Sequence, residues 1–462
     1  MKSQQPRKKA SCFLVSSEGR DFFLLMPVIY YLETFENYDV SFEFVWDAHQ
    51  MRKNPPDLVL FPNTRGNHFY YEIAKYCNES GILIYSHDSE GNFSTEIDYD
   101  YWAFNLAKKS LCPVHYTWNE RVKKFLMDKY DLPSEEFVVT GAPGFDKYQY
   151  MPQREKVEVL KKYGLDHYKT VVGYAGWAFG KLENKEIGDV LSNIDQPGEA
   201  GMKWMAEQRD KVEKILKTLI EANPDILFVL KKHPRENFES DLRDSRNEMN
   251  RLKDYDNVFY LKDEEDIQDL IQISDLWMAF ESSSIIEAWL LGKPTMMTTP
   301  DGNFKRATLH KGSINAKSPE EAMLGLEALK RNEIEYFNSP EVVAKRSEII
   351  SSSIGFADGF NHLRVVKSFM PLLENHKKAK QKPKLNWRYM RLYFLLHWGK
   401  PFFVKSIFQR LPKFKKVVWI FENHKLEGIK KNKPVVTKHL DKFYADRGLN
   451  TKIKSGEIWK EL

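Results

Sequence analysis

The sequence predicts an α/β chain of two doubly wound halves facing each other across a cleft, followed by a basic, mostly helical C-terminal extension. Three observations predict it. Short apolar, β-branched runs alternate with segments of helical period, as parallel βαβ units require. The alternation restarts after a Gly- and Pro-containing exit near residue 150. Beyond residue 374 the charge balance changes abruptly.

Taken in order, residues 11–17 (SCFLVSS) read as a first strand that exits at Ser17, with an amphipathic helix following to about residue 38. VSFEFVWD alternates as a second strand, PDLVLFPN is a third, and residues 68–80 form a helix. GILIYSHDSEG is the fourth strand, carrying His87, Asp88, Glu90 and Gly91 at its end. SLCPVHYTWN is a fifth, residues 120–130 a helix, and EFVVTGAPGFD a sixth strand that leaves through Gly141, Ala142, Pro143 and Gly144. The first domain is thus residues 1–150.

A linker helix over 154–163 opens the second domain, residues 151–355. TVVGYAGWAFG is its first strand, with Gly176 and Trp177 at the exit, and residues 201–223 form a long helix. ILFVL has the wholly apolar character of a strand buried on both faces, and it runs into Lys231, Lys232, His233, Pro234 and Arg235. NVFYLKD follows as a strand, then residues 276–280 enter Glu281, Ser282, Ser283 and Ser284 ahead of the helical IIEAWLL. Gly292 stops that helix and KPTMMTTP reads as the next strand. Residues 181–200 are polar and aperiodic, a loop. Helices are expected at 319–330, about 340–353, and 361–373, the last within a return segment over 356–374.

Composition excludes some classes. No apolar run reaches the ~20 residues of a spanning helix, and the basic start followed by a short apolar stretch does not match a secretion signal. Three cysteines without metal-ligand spacing (Cys12, Cys77, Cys112) suggest buried reduced thiols and a cytoplasmic setting. Residues 375–421 hold 13 Lys or Arg and no acid, and residues 422–462 hold 10 basic and 6 acidic residues. The tail therefore carries +17 against a chain total of +5, leaving −12 on the first 374 residues. A general nucleic-acid binder would not confine its basic charge in this way. Interleaved Lys, Arg, Trp, Tyr and Phe over 377–420 suit the headgroup region of an anionic membrane, or else a helical appendage with a solvated charged face.

Chemistry in open α/β sheets gathers at the carboxyl ends of strands. Lys232 and His233 at one such end, with a hydroxyl-lined helix start at Ser282, Ser283 and Ser284 at another, suit a phosphate, although three serines before a helix can also be an ordinary cap. At Gly176 and Trp177 a nucleotide can meet backbone N–H groups. In the first half, Asp88, Glu90 and His87 are candidates for a base or nucleophile. Strand alternation puts the two acids on one side and His87 on the other. Gly141 and Pro143 either approach a ligand or turn the chain toward a hinge.

Residues 139–146 (VTGAPGFD), the Lys232, His233, Pro234 run, Glu281 through Ser284 with Glu287 and Ala288, and the Asp358, Gly359 pair together resemble the bacterial surface-carbohydrate biosynthesis proteins, glycosyltransferases of the GT-B type. More distantly they resemble capsule Kdo transferases and bacterial sialyltransferases. The resemblance covers roughly residues 11–373 and implies a GT-B-like fold of two Rossmann-like domains, an N-terminal acceptor domain and a C-terminal nucleotide-donor domain. It implies Glu90, with Gly91 in its acid-Gly motif, as the catalytic carboxylate and Asp88 as second choice. His233 and the three serines would contact the donor phosphate, and Glu287 the ribose. Ser89 stands where the family has its other acid.

The resulting expectation is a cytoplasmic, metal-independent transferase without a cofactor, peripheral on the inner face of the cell membrane. It would move a sugar, with a CMP-linked ulosonic acid as one candidate, from a nucleotide-sugar donor to a glycan or glycolipid acceptor of a surface polysaccharide or capsule, with no nucleic acid involved. Polyol-phosphate transfer from CDP-glycerol or CDP-ribitol, and a catalytically degenerate assembly partner, are the alternatives.

Overall fold

The computed structural model describes residues 7–14, 19–64, 68–92, 111–177, 179, 199–233, 247–261, 265–301, 309–376, 386–398 and 426–462. By its own contacts the chain divides into two compact units, Met1–Met151 with Ser352–Leu462, and Pro152–Ser351.

The first unit begins with β1 (Lys8–Phe13), α1 (Arg20–Phe35) and β2 (Tyr38–Glu43). The second strand is expected to run through Val45 and Trp46, but it ends at Glu43 and a 3-10 segment spans Val45–Arg52. Val45, Ala48 and Met51 are buried there, and that three-residue spacing suits the eclipsed side chains of a 3-10 turn. β3 (Leu58–Phe61), α2 (His68–Glu79), β4 (Leu83–Ser86), β5 (His115–Thr117), α3 (Glu120–Tyr130) and β6 (Phe137–Val139) follow, then a single turn α4 (Lys147–Tyr150). The sheet order is β2-β1-β3-β4, all parallel, and a parallel bridge from His87 to Tyr116 carries it on to the β5-β6 pair.

The second unit holds α5 (Lys156–Lys162), β7 (Thr170–Ala175), α6 (Glu199–Ala222), β8 (Ile226–Lys231), β9 (Val258–Leu261), α7 (Ile267–Ile273), β10 (Leu276–Ala279), α8 (Ser284–Leu290), β11 (Thr295–Thr298) and β12 (Ile314–Ala316). α9 (Pro319–Lys330), α10 (Ile334–Phe337) and α11 (Pro340–Ile354) close it. Its parallel sheet has the order β12-β11-β10-β7-β8-β9, the doubly wound arrangement of a dinucleotide-binding fold. β8 is buried along its whole length, as its unbroken apolar run requires. α6 buries Val212, Ile215, Leu216, Leu219 and Ile220, one stripe of a 3.6-residue helix.

The chain then re-enters the first unit with α12 (Asn361–Asn375), α13 (Trp387–His397), α14 (Leu426–Asp446), α15 (Leu449–Ser455) and α16 (Ile458–Glu461). α1 explains why. Its Phe22 and every residue from Leu24 to Leu32 are buried, so it is apolar almost all round and needs cover on the side away from the sheet. α12 and α14 supply that cover. Ile429, Val436, Leu440, Phe443 and Tyr444 of α14 join the same core as α1, β1 and β3. Charge sets this C-terminal segment apart in the sequence, yet its described helices are part of the first unit's core. Cys12, Cys77 and Cys112 are buried free thiols.

Candidate functional site

In the first unit the strand order reverses between β1 and β3, so the carboxyl ends of β1, β3 and the neighbouring β4 form the natural ligand edge. Ser17, the expected contribution from β1, lies outside the described residues. The end of β4 is tied to β3 by the Ser89 N–H, which donates to the Pro62 carbonyl at 3.1 Å, and by Ser86 Oγ, which donates to Thr64 Oγ1 at 3.5 Å. From there the residues alternate, with His87 and Ser89 buried, Asp88 half-buried and Glu90 exposed. His87 Nε2 lies 2.9 Å from Thr140 Oγ1 and Nδ1 lies 3.2 Å from the Asp88 carbonyl. Burial takes its pKa down to about 4, against the pull of the Asp88 and Gly141 backbone, so the ring is neutral. His87 therefore pins β4 to the end of β6. The Trp118 indole N–H donates to the Asp88 carbonyl at 2.8 Å, and a Cβ on Gly91 would sit 2.5 Å from that indole, which is why a glycine stands there.

Glu90 projects from this edge and its Oε2 accepts from Arg20 Nη1 at 2.6 Å, with 53% of the Glu90 side chain exposed. Arg20 in turn lies over the Phe145 ring at 5.4 Å. Beside it, in the first turn of α1, Asp21 is hydrogen-bonded to the Ser89 side chain. Burial pushes its carboxyl above the ordinary value, with Ser89 and Arg20 pulling it down and the Glu90 charge pushing it further up. Ser89, standing where the resembled family has a second acid, thus holds an acid delivered from α1. Sequence reasoning missed Asp21 and Arg20, because an acid in a helix's first turn looks like ordinary dipole compensation.

In the second unit the order reverses between β7 and β10. Gly176 and Trp177 follow β7, Phe280 through Ser284 follow β10, and Lys232 with His233 follows the adjacent β8. The structure therefore brings these predicted donor residues to one carboxyl edge; Pro234 lies outside the described residues. The Gly176 N–H donates to the Lys231 carbonyl at 2.9 Å and the Trp177 N–H to Glu248 Oε1 at 3.3 Å. Both amides donate inside the fold in this structure. A Cβ at Gly176 would lie 2.4 Å from Met249 Cε, the flexible end of a side chain packed against this turn. Glu248, which also accepts from the Tyr174 hydroxyl at 3.1 Å, was not anticipated.

The serine turn divides its work. Ser282 Oγ accepts from the Ser284 N–H at 3.3 Å as a local cap, and the buried Ser284 Oγ accepts from Trp277 Nε1 at 3.1 Å. Ser283 is half-buried and makes no side-chain cap. Glu281 ahead of them has φ 45°, the left-handed region that a non-glycine residue occupies at a cost of about 1–3 kcal/mol. Such strain at the switch edge marks a turn whose shape is enforced by the surrounding packing. Glu287 is buried in the first turn of α8, and Lys232 is buried with its N–H donating to the Leu261 carbonyl at 3.0 Å. His233 is half-buried at the limit of its described segment.

Gly141 and Pro143 belong to a chain crossing. Gly141 has φ 78°, and a Cβ there would lie 1.9 Å from Asn361 Oδ1. Pro143 opens the short 3-10 turn to Phe145. Asn361 Nδ2 donates to Asp146 Oδ1 at 2.8 Å, so this motif turns against the returning segment. Among the described residues no group of three or more His, Cys, Asp or Glu is placed to hold a metal.

No family model matches the chain. An uncharacterized protein of Methanocaldococcus jannaschii is 28% identical over 119 residues, and the chain covers only 22% of its length. Solved structures match far more of the molecule. A putative UDP-N-acetylglucosamine 2-epimerase from Listeria monocytogenes superposes with TM-score 0.53 at 12% identity, covering 82% of this chain and 98% of its own. The UDP-GlcNAc 2-epimerase of Neisseria meningitidis, bound to UDP-GlcNAc, gives 0.50 at 15% identity over 79% and 100%. A variant of the wall teichoic acid polymerase TagF soaked with CDPG gives 0.51 at 13% identity over 80% and 89%. Across such low identity the likeness establishes architecture: the chain has the GT-B-type fold of two Rossmann-like domains, with a helical C-terminal region.

Proposed function

We propose that this protein is a metal-independent glycosyltransferase that moves a sugar from a nucleotide-sugar donor, with a CMP-linked ulosonic acid as the candidate donor, to a surface glycan or glycolipid at the inner face of the cell membrane. The observation that carries the reading is the cluster of Glu90, Arg20, Asp21 and Ser89 at the switch edge of the first unit. In this reading Glu90 takes the proton from an acceptor hydroxyl as that oxygen bonds to the donor's anomeric carbon and the bond from carbon to the nucleotide phosphate breaks. Asp21, with its raised pKa, and Arg20 set the charge around Glu90. Lys232, His233 and the serine turn hold the departing phosphate, whose charge needs no metal where cationic side chains meet it.

A second reading keeps the residues and changes the group. The likeness to a teichoic acid polymerase with CDPG favours polyol-phosphate transfer, in which the acceptor oxygen attacks phosphorus and CMP leaves. The purified chain, given CMP-sugars, CDP-glycerol and UDP-GlcNAc in turn, separates the readings. Acceptor-dependent release of CMP from a CMP-sugar, lost in Glu90→Gln, supports the first, and release from CDP-glycerol alone supports the second. Interconversion of UDP-GlcNAc with its 2-epimer and no transfer would overturn both. Binding to none of them by calorimetry would point to a degenerate assembly partner.

A further inference from the structure

We propose that α13 is the membrane-docking face of this protein, lying flat on an anionic bilayer with Trp387, Phe394 and Trp398 in the interface and Arg391 on lipid phosphates. The proposal deepens the membrane placement given above and does not depend on the transfer chemistry.

The helix is fixed on its inner side. Asn386 caps it, accepting from the Arg388 and Tyr389 N–H groups at 3.0 and 3.1 Å, and its own amide donates to Glu79 Oε2 at 2.9 Å. Tyr389 stacks on Tyr76 of α2 with centroids 4.0 Å apart, its hydroxyl donates to the Ala48 carbonyl, and Leu392 is buried beside it. That anchoring determines what points outward. Trp387 is 76% exposed, Phe394 64% and Trp398 64%, and Arg391 is exposed between them. At 3.6 residues per turn, positions 387, 391, 394 and 398 fall within an arc of about 60°.

Exposed large apolar residues elsewhere among the described residues are mostly aliphatic and spread over several elements. Three aromatics gathered on one helical stripe are the kind of patch that marks an interaction surface. Charge selects the occupant. The stripe belongs to the stretch 375–421, which holds 13 Lys or Arg and no acid, a composition that favours a surface of phosphates. Tryptophan and phenylalanine enter the headgroup boundary while arginine reaches its phosphates. At 11 residues α13 is far short of a membrane span, and among the described residues no helix is long and apolar enough to cross. The helix therefore lies on the bilayer.

The test is co-sedimentation of the full chain with phosphatidylcholine vesicles containing about 30% phosphatidylglycerol. We expect binding that weakens in about 0.5 M salt. We expect a loss of about tenfold in the Trp387→Ser, Phe394→Ser double variant, and a smaller loss in Arg391→Gln. Nucleotide binding by calorimetry and the melting temperature should stay at wild-type values, which separates loss of docking from misfolding and from failure of the transferase reading. Undiminished sedimentation of the double variant would overturn the proposal, as would equal binding to pure phosphatidylcholine. A wild-type dimer that the same substitutions convert to monomer would assign the stripe to a second copy instead, again overturning it.

Discussion

The Nδ1 atom of His362 stands 2.8 Å from Asp146 Oδ2, and the His362 backbone N–H donates to the same oxygen at 2.9 Å. On the other side of the ring, Nε2 is 2.9 Å from the Tyr444 hydroxyl. Asp146 leaves the last strand of the first unit's N-terminal segment, His362 begins α12 and Tyr444 ends α14, so one buried imidazole ties together three remote stretches of chain. With Nδ1–H donating to the carboxylate, Nε2 accepts from the phenol. Both the His362 and Asp146 side chains are fully buried, and removing either leaves a buried polar partner unsatisfied.

Asp146→Asn and His362→Ala should each destabilise the first unit by roughly 3 kcal/mol, and Tyr444→Phe by about 1 kcal/mol. Denaturant unfolding monitored in the first unit checks this; unchanged midpoints would refute the role. Truncation after residue 376 removes Tyr444 together with the buried Ile429, Leu440 and Phe443, so the shortened chain should be insoluble. Point substitutions are therefore the sound way to test the tail.

His87 should make the first unit acid-sensitive. Its folded pKa, about 4, lies below the ordinary 6.5, so the stability it contributes is complete above pH 6.5 and is lost as pH falls from there toward 4. The gap corresponds to about 3 kcal/mol. Melting temperatures should drop over that window in the wild type and much less in His87→Gln, measured as a difference between the two profiles.

Glu90→Gln should lower kcat by roughly 10²–10⁴-fold, the range for loss of a general base, with nucleotide affinity unchanged. Asp21→Asn should behave differently. A carboxyl whose folded pKa is raised stabilises fully only below its unfolded value and loses that contribution as pH rises through the folded one. The asparagine variant should therefore melt higher than wild type at neutral pH while its transfer rate falls and its pH–rate profile shifts. A variant equal to wild type in both respects would leave Asp21 without a role.

Transfer should survive exhaustive treatment with EDTA, since the proposed charge stabilisation comes from Lys232, His233 and the serine turn. Loss of activity that Mg²⁺ or Mn²⁺ restores would count against the donor site as drawn.

What the sequence determined by itself was local. Apolar runs such as residues 226–230 mark strands buried on both faces, the stripe in residues 212–220 marks the covered side of α6, and both follow from the fixed periods of strand and helix. Strand ends could be located in the same way, so Glu90, His233 and the serine turn were legible as edge residues. Short edge strands such as β12, and the 3-10 segment after β2, were not, because three or four residues hold too little periodicity. Partners were not legible either. Asp21 and Ser89 are 68 positions apart, and Asp146 meets His362 across 216. Which distant polar group satisfies a buried one is settled only when helices cross, because desolvation penalises every unmatched pairing and the sequence records no crossing.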